Sequence, residues 1–163
     1  MIRRIPHVAY HEAGHAVIGI LVGLRISGVN IVKEQECGFT TSGRTHFSFY
    51  HGDSARDRDD AERATTAVLA GEQAERLWCK QKPSRRVRSS RHTQFSSDRV
   101  RSEHYLRPFV PDSADRQRTI KRLKKAVRDL LAKHWSCVEA VAARLSERKA
   151  LSEKEVEQLV VRP

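Results

Sequence analysis

The sequence predicts a mainly α-helical protein with a small β-sheet, an α+β class. Three observations predict it. Residues 6–24 read as one largely apolar helix that carries the pair His11 and His15 with Glu12 between them. Residues 29–50 hold short alternating segments bounded by Gly and Ser, as strands do. Most of the chain beyond residue 57 has helical periodicity.

Pro6 suits the opening turn of the first helix, where a missing N–H costs nothing, and apolar residues continue to about Leu24. Within it, Tyr10-His11-Glu12-Ala13-Gly14-His15-Ala16-Val17 contains the pattern H-E-x-x-H. Residues four apart lie on one helix face, so His11 and His15 can aim at a single cation, a spacing suited to zinc. Glu12 then falls beside the metal without ligating it. It is placed to take a proton from the metal's water, the general-base role in peptide hydrolysis. Short motifs recur by chance, and the competing reading makes these core histidines with an exposed glutamate. The apolar setting weighs against that reading, because a buried imidazole or carboxylate must be paired or bound to metal.

Ser27-Gly28 reads as the exit from this helix, and Val29–Val32 as a half-buried strand. Gly38–Thr41 and Thr45–Tyr50 read as two further strands with Ser42-Gly43 as the turn between them. An open edge of such a sheet could take a substrate backbone as an extra strand, or the hairpin could be purely structural. Asp53 or Ser54 is a candidate cap for a second helix running to about Lys80. Its Ala61, Ala64, Thr65, Val68, Leu69 and Ala70 form a small-residue face for close packing, and Leu77 and Trp78 close its far end. Residues 80–95 are basic and serine-rich and read as a flexible loop. Phe95-Ser96-Ser97-Asp98 reads as a helix start, with Ser96 or Ser97 as cap and Pro108 and Pro111 beyond its end. From Asp115 an amphipathic helix carries Ile120, Leu123, Val127, Leu130 and Leu131 on one stripe. It breaks or bends near His134-Trp135-Ser136, and Val138, Val141, Ala142 and Leu145 resume the stripe. Ser152-Glu153-Lys154-Glu155 matches a capping box for a last helix through Val160. The whole reads as one domain over 1–163, with a helical C-terminal part over 115–161.

A catalytic zinc needs a third protein ligand and an open position for water. The candidates are Glu62, Glu72 and Glu75 on the second helix, and His92, Asp98 and His104 after it. Asp98, at a helix start, is held rigidly enough to serve, yet its charge there could also just complement the helix dipole. The residues alone do not rank Asp98 above Glu75.

Residues 9–17, Ala-Tyr-His-Glu-Ala-Gly-His-Ala-Val, resemble the active-site helix of the FtsH family of AAA zinc metalloproteases. Four further segments resemble that family in order. They are Val29–Val32, Ala70-Gly71-Glu72-Gln73-Ala74-Glu75-Arg76-Leu77, Phe95-Ser96-Ser97-Asp98, and the stretch from Ala142 to Leu159. The resemblance implies zinc held by His11, His15 and Asp98, with Glu12 as base. It also implies an FtsH-peptidase-like helical domain with a small sheet beside the site. The chain departs from the family in having no Walker-type Gly-rich loop before His11 and no membrane-spanning segment. A stand-alone peptidase that does not itself use ATP is therefore the expectation, and hexamer formation, usual in that family, does not follow; a homo-oligomer remains open.

Composition bounds the remainder. The chain is 39% hydrophobic and 31% charged, and its three cysteines form no C-x-x-C pair, so a cysteine metal site or disulfide framework is not expected. The run from Ala16 to Leu24 falls short of the roughly 20 residues of a membrane span. No signal peptide fits ahead of residue 11, so a cytoplasmic setting is expected. Net charge is +11. Residues 1–79 hold nine basic and ten acidic groups, while residues 80–163 hold 22 and ten. That asymmetry raises an acidic partner or nucleic acid, and with it the alternative of a nucleic-acid-binding or adaptor protein with a structural or vestigial metal site. Interleaved aromatics and a nucleic-acid-binding motif are missing. The expectation is a zinc metallopeptidase acting on flexible or unfolded polypeptides.

Overall fold

The computed structural model describes residues 7–33, 40–81 and 94–161. The lead over residues 1–5, Pro6, the expected strand start at Gly38-Phe39, and 82–93 of the basic loop lie outside these. The elements in order are α1 (His7–Leu21), β1 (Arg25–Lys33), β2 (Thr40–Ser48), α2 (Arg58–Gln81), α3 (Gln94–Leu106), α4 (Ser113–Lys133), α5 (Trp135–Arg148), β3 (Ala150–Ser152) and α6 (Glu153–Val161). The fold is mainly helical with one antiparallel sheet in the order β2-β1-β3. Among the described residues, no helix is long and apolar enough to cross a membrane.

Helix α1 is buried from Val8 through Gly19, which explains why its sequence is apolar all round. It packs on α2, α5 and the sheet. The closest approach is to α2. A Cβ on Gly14 would stand 2.6 Å from Ala74 Cβ and 2.7 Å from the Ala70 carbonyl oxygen, so the two backbones touch where neither carries bulk. The small-residue face expected on α2, Ala61, Ala64, Thr65, Val68, Leu69 and Ala70, is buried throughout, and its Ala70 makes this contact. Beside it, Tyr10 is stacked between Trp78 and Trp135, with ring centroids 5.3 and 5.8 Å away.

Helix α1 ends three residues earlier than its apolar run. Gly23 adopts a left-handed φ of 78°, and the Gly23 and Leu24 N–H groups donate back to the Ile20 and Gly19 carbonyls. This is a Schellman stop, in which glycine takes the left-handed position without steric cost. Ser27-Gly28 is accordingly not the helix exit. It lies inside β1, where the register skips one residue between Ile26 and Gly28. That bulge keeps Ile26, Val29 and Ile31 all buried against the core. Ser42-Gly43 is not a turn either. It pairs with Val32 and Ile31 within a continuous β2. Strand β3 had no expectation in the sequence; three residues pair with Gly28–Asn30 and complete the sheet.

Helix boundaries shift for similar local reasons. Asp57, rather than Asp53 or Ser54, caps α2 by accepting from the Asp60 N–H at 2.9 Å. Asp112 caps α4, which begins at Ser113, two residues before the expected start. The break expected at His134 is present, where the residue ends α4 and opens α5. Of the capping box, the glutamate half is present: the Glu155 carboxylate accepts from the Ser152 N–H at 2.9 Å and also from the Ser152 hydroxyl at 2.8 Å. The α4 and α5 stripes form core, with Leu123, Val127, Leu131, Val138, Val141 and Leu145 at most 5% exposed. Cys137 is buried and Cys79 partly so, and both are free thiols.

The α1–α2 contact leaves no room for one added methyl. Gly14→Ala is expected to lower the unfolding free energy by about 1–3 kcal/mol, the usual range for overpacking. Urea denaturation should show a lower midpoint with an unchanged slope. An unchanged midpoint would mean that the helices are further apart than described.

Candidate metal centre

Helix α1 carries His11 and His15 one turn apart, and α3 brings Asp98 across to them. His11 Nε2 and His15 Nε2 are 3.1 Å apart. Asp98 Oδ2 lies 3.2 Å from the first and 3.4 Å from the second. All three residues are buried. The three atoms form a near-equilateral triangle. Its edges match the roughly 3.3 Å spacing of ligands around a tetrahedral zinc with bonds of about 2.0–2.1 Å. No donor reaches Asp98 Oδ2 in good hydrogen-bond geometry among the described residues, although the atom is buried. A buried oxygen in that position is what a cation would satisfy. The cluster can hold a metal ion.

The opposite edges of both rings are engaged. His15 Nδ1 is 2.8 Å from the Ala67 carbonyl oxygen, and His11 Nδ1 is 3.4 Å from Glu75 Oε2. At His15 the carbonyl oxygen favours the ring proton on Nδ1 and leaves Nε2 facing the cluster, as outer partners of ligating histidines do, and at His11 the Glu75 carboxylate stands on the corresponding side at ion-pair distance. Glu75, the rival third ligand, thus lies behind His11 and outside the triangle. Gly71 of α2 makes the space. A Cβ at this position would collide with His15 Nε2, and would stand 2.6 Å from His15 Cε1 and 2.7 Å from His11 Nε2.

Asp98 does not open α3. The helix begins at Gln94, so Asp98 lies one turn in, and the helix-dipole reading of its charge fails for that reason. The candidate caps Ser96 and Ser97 fall inside α3, which begins at Gln94, so neither precedes the helix, and His92 lies outside the described residues. Glu62 and Glu72 project away from the cluster: Glu62 pairs with Arg58 and Arg122, and Glu72 with Arg76 and Lys124. His104 is exposed.

Electrostatics in the metal-free chain reflect burial set against neighbours. Burial pushes the His11 imidazole down, but Asp98, Glu75 and Glu12 outweigh it and lift its pKa to about 10. Burial pushes the Asp98 carboxyl up, and His15 and His11 outweigh that, so it falls below the usual carboxylate range. Without metal the site is therefore an imidazolium–carboxylate pair.

Glu12 is buried beside the triangle but is not part of it. Its Oε2 accepts from the Thr45 hydroxyl at 2.7 Å. Gly43 gives the carboxylate its space: a Cβ there would stand 2.5 Å from Glu12 Cγ and 2.8 Å from its Oε1. A cleft of about 490 Å³ opens over these groups, bounded by residues 43–47 of β2 and by Arg101 of α3. Thr45, Gly43, Gly71, the Ala67 carbonyl and Arg101 were not among the site residues expected from the sequence, where Gly43 read as part of a turn and Thr45 as the start of a strand. The two glycines carried a signal only in hindsight, since each stands where an element interior disfavours glycine.

With this geometry in hand, comparison with known proteins adds nothing further: no family model matches the chain, and no curated protein sequence matches it. The basic half is represented on α4, whose exposed side carries Arg118, Lys121, Arg122, Lys125 and Arg128. Of the α4 basic residues, Arg118 pairs with Asp115, Arg122 with Glu62 and Lys124 with Glu72. The described part of this face is partly neutralised.

Two outcomes test the centre. Gly71→Ala should abolish binding of one zinc per chain while far-ultraviolet circular dichroism keeps its helical signal. Metal must also displace the proton that His11 holds below about pH 10. Apparent affinity should therefore rise with pH up to that value, with release of about one proton per metal at neutral pH. Calorimetry in buffers of different ionisation enthalpy reads this directly. A pH-independent affinity would contradict the imidazolium.

Proposed function

We propose that the chain is a zinc-dependent metallopeptidase of FtsH-like type, acting on flexible or unfolded polypeptide. One observation carries the reading: the His11–His15–Asp98 triangle and the Glu12 carboxylate face the same open cleft without competing for the same position. His11, His15 and Asp98 would hold the zinc. Bound there, zinc would supply a Lewis acid that polarises a peptide carbonyl and acidifies water. The chain's own residues account for the proton. Glu12 takes it from the attacking water as oxygen adds to the carbonyl carbon, and delivers it to the amine nitrogen as the C–N bond breaks. The Thr45 hydroxyl holds Oε2, which fixes the carboxylate's orientation and leaves Oε1 as the acceptor. Glu75 and the Ala67 carbonyl keep both rings turned inward.

Strand β2 supports the substrate class. Among the described residues its outer edge pairs with no other strand, and it borders the cleft. An extended peptide can add to such an edge by backbone hydrogen bonds, which favours unfolded segments over folded ones. Free thiols at Cys79 and Cys137 suit a reducing compartment such as the cytoplasm.

Glu12→Gln is expected to keep one zinc per chain by elemental analysis and to lose peptide hydrolysis by at least about 100-fold, the typical scale of a general base. Asp98→Ala should lose the metal as well. Unchanged cleavage by a metal-loaded Glu12→Gln protein would sink the reading.

A further inference from the structure

The cleft holds a cation whose role the metal chemistry does not use. Arg101 lies on α3, one turn beyond Asp98. Its guanidinium carbon sits 5.1 Å from the centroid of the Phe47 ring. Among the described residues its ion pair is with Asp98 Oδ1 at 3.8 Å, too long for a hydrogen bond. The side chain is 41% exposed and lines the cleft. A guanidinium held over an aromatic face by cation–π attraction keeps its N–H donors available, and such a fork suits a bidentate carboxylate. Phe47 is itself braced by Tyr105, with ring centroids 6.3 Å apart.

The surrounding charges favour an anion at this point. Arg44 also lines the cleft. Opposing it are Glu12 and Asp98. Glu12 is engaged by Thr45, and Asp98 directs Oδ2 to the histidines. The Arg101 fork thus has donors to spare.

We propose that Arg101 is a specificity-determining residue, selecting peptides that carry a carboxylate close to the bond to be cleaved. This rests on the peptidase reading for the bond, but the carboxylate site itself is a matter of binding. The carboxylate could come from an Asp or Glu side chain or from a peptide C-terminus; the recognition chemistry is the same.

The test uses the zinc-loaded full chain carrying Glu12→Gln, so that binding is read without turnover. Three ten-residue peptide libraries are compared by fluorescence anisotropy. One is capped at both ends with a fixed central Glu, one is capped with Gln there, and one has Gln with a free C-terminal carboxylate. The Glu or free-carboxylate library should bind about fivefold tighter than the capped Gln library at low salt, the upper end for a partly exposed ion pair. The advantage should shrink as salt is raised. It should vanish in Arg101→Gln at equal zinc content. Whichever acidic library gains identifies the source of the carboxylate. Equal binding of all three, a preference that survives Arg101→Gln, or loss of zinc in that variant would overturn the proposal, the last by making Arg101 a support for Asp98. Failure of the Glu12-intact protein to cleave any library, with the carboxylate preference intact, would instead overturn the peptidase reading alone.

Discussion

Two imidazoles and three carboxylates are withdrawn from water around one helix, and the rest of the chain is arranged to satisfy them. Withdrawing a single unpaired carboxylate costs several kcal/mol, a large share of the roughly 5–15 kcal/mol by which a domain is stable. His11 therefore cannot sit in α1 as an inert core residue. In the metal-free chain it holds a proton against burial because Asp98, Glu75 and Glu12 surround it. A divalent cation would replace that proton and satisfy Asp98 Oδ2, the atom that no donor among the described residues meets well. The same set of partners thus serves two states. That makes the α1–α2–α3 arrangement necessary to the centre: α2 supplies Glu75 and the Ala67 carbonyl behind the rings, and α3 closes the triangle in front.

The sequence made α1 legible because its signals agree. Apolar residues all round the helix demand burial on all sides, and His11 and His15 fall among them at metal-ligand spacing. The stripes of α4 and α5 were legible for the same reason, since a 3.6-residue period survives whatever packs against it. The sheet was less legible. Ser27-Gly28 and Ser42-Gly43 carry turn-forming residues, yet both lie inside strands. The first is a bulge that restores the inward face of β1, and the second puts a bare backbone against Glu12. Local propensity says only that glycine and serine leave regular structure; it does not say that a neighbour has claimed the space. Strand β3, at three residues, is too short to have a period of its own.

The third ligand shows the limit from another side. Asp98 and Glu75 are equivalent as sequence: each is an acid on a later helix. What separates them is which ring nitrogen each meets, and that depends on how α2 and α3 cross α1. Glu75 approaches from the α2 side and reaches Nδ1, whereas Asp98 comes from α3 and reaches Nε2. No pattern within either helix encodes this. The family resemblance supplied the expectation of Asp98; in the structure Asp98 Oδ2 stands at both Nε2 atoms and the three residues could hold a metal ion.

Side chains that are missing shape the centre as much as those that are present. Gly14 lets α1 and α2 meet at backbone distance, Gly71 gives both imidazoles room on the α2 side, and Gly43 makes the niche for the Glu12 carboxylate. Each costs roughly 0.5–1 kcal/mol relative to alanine within a helix or strand, so the local preference of each element opposes it. The three lie on different elements yet converge on one helix. That pattern points to a site whose volume is held open by the backbone, which is stiffer than any side-chain arrangement could be.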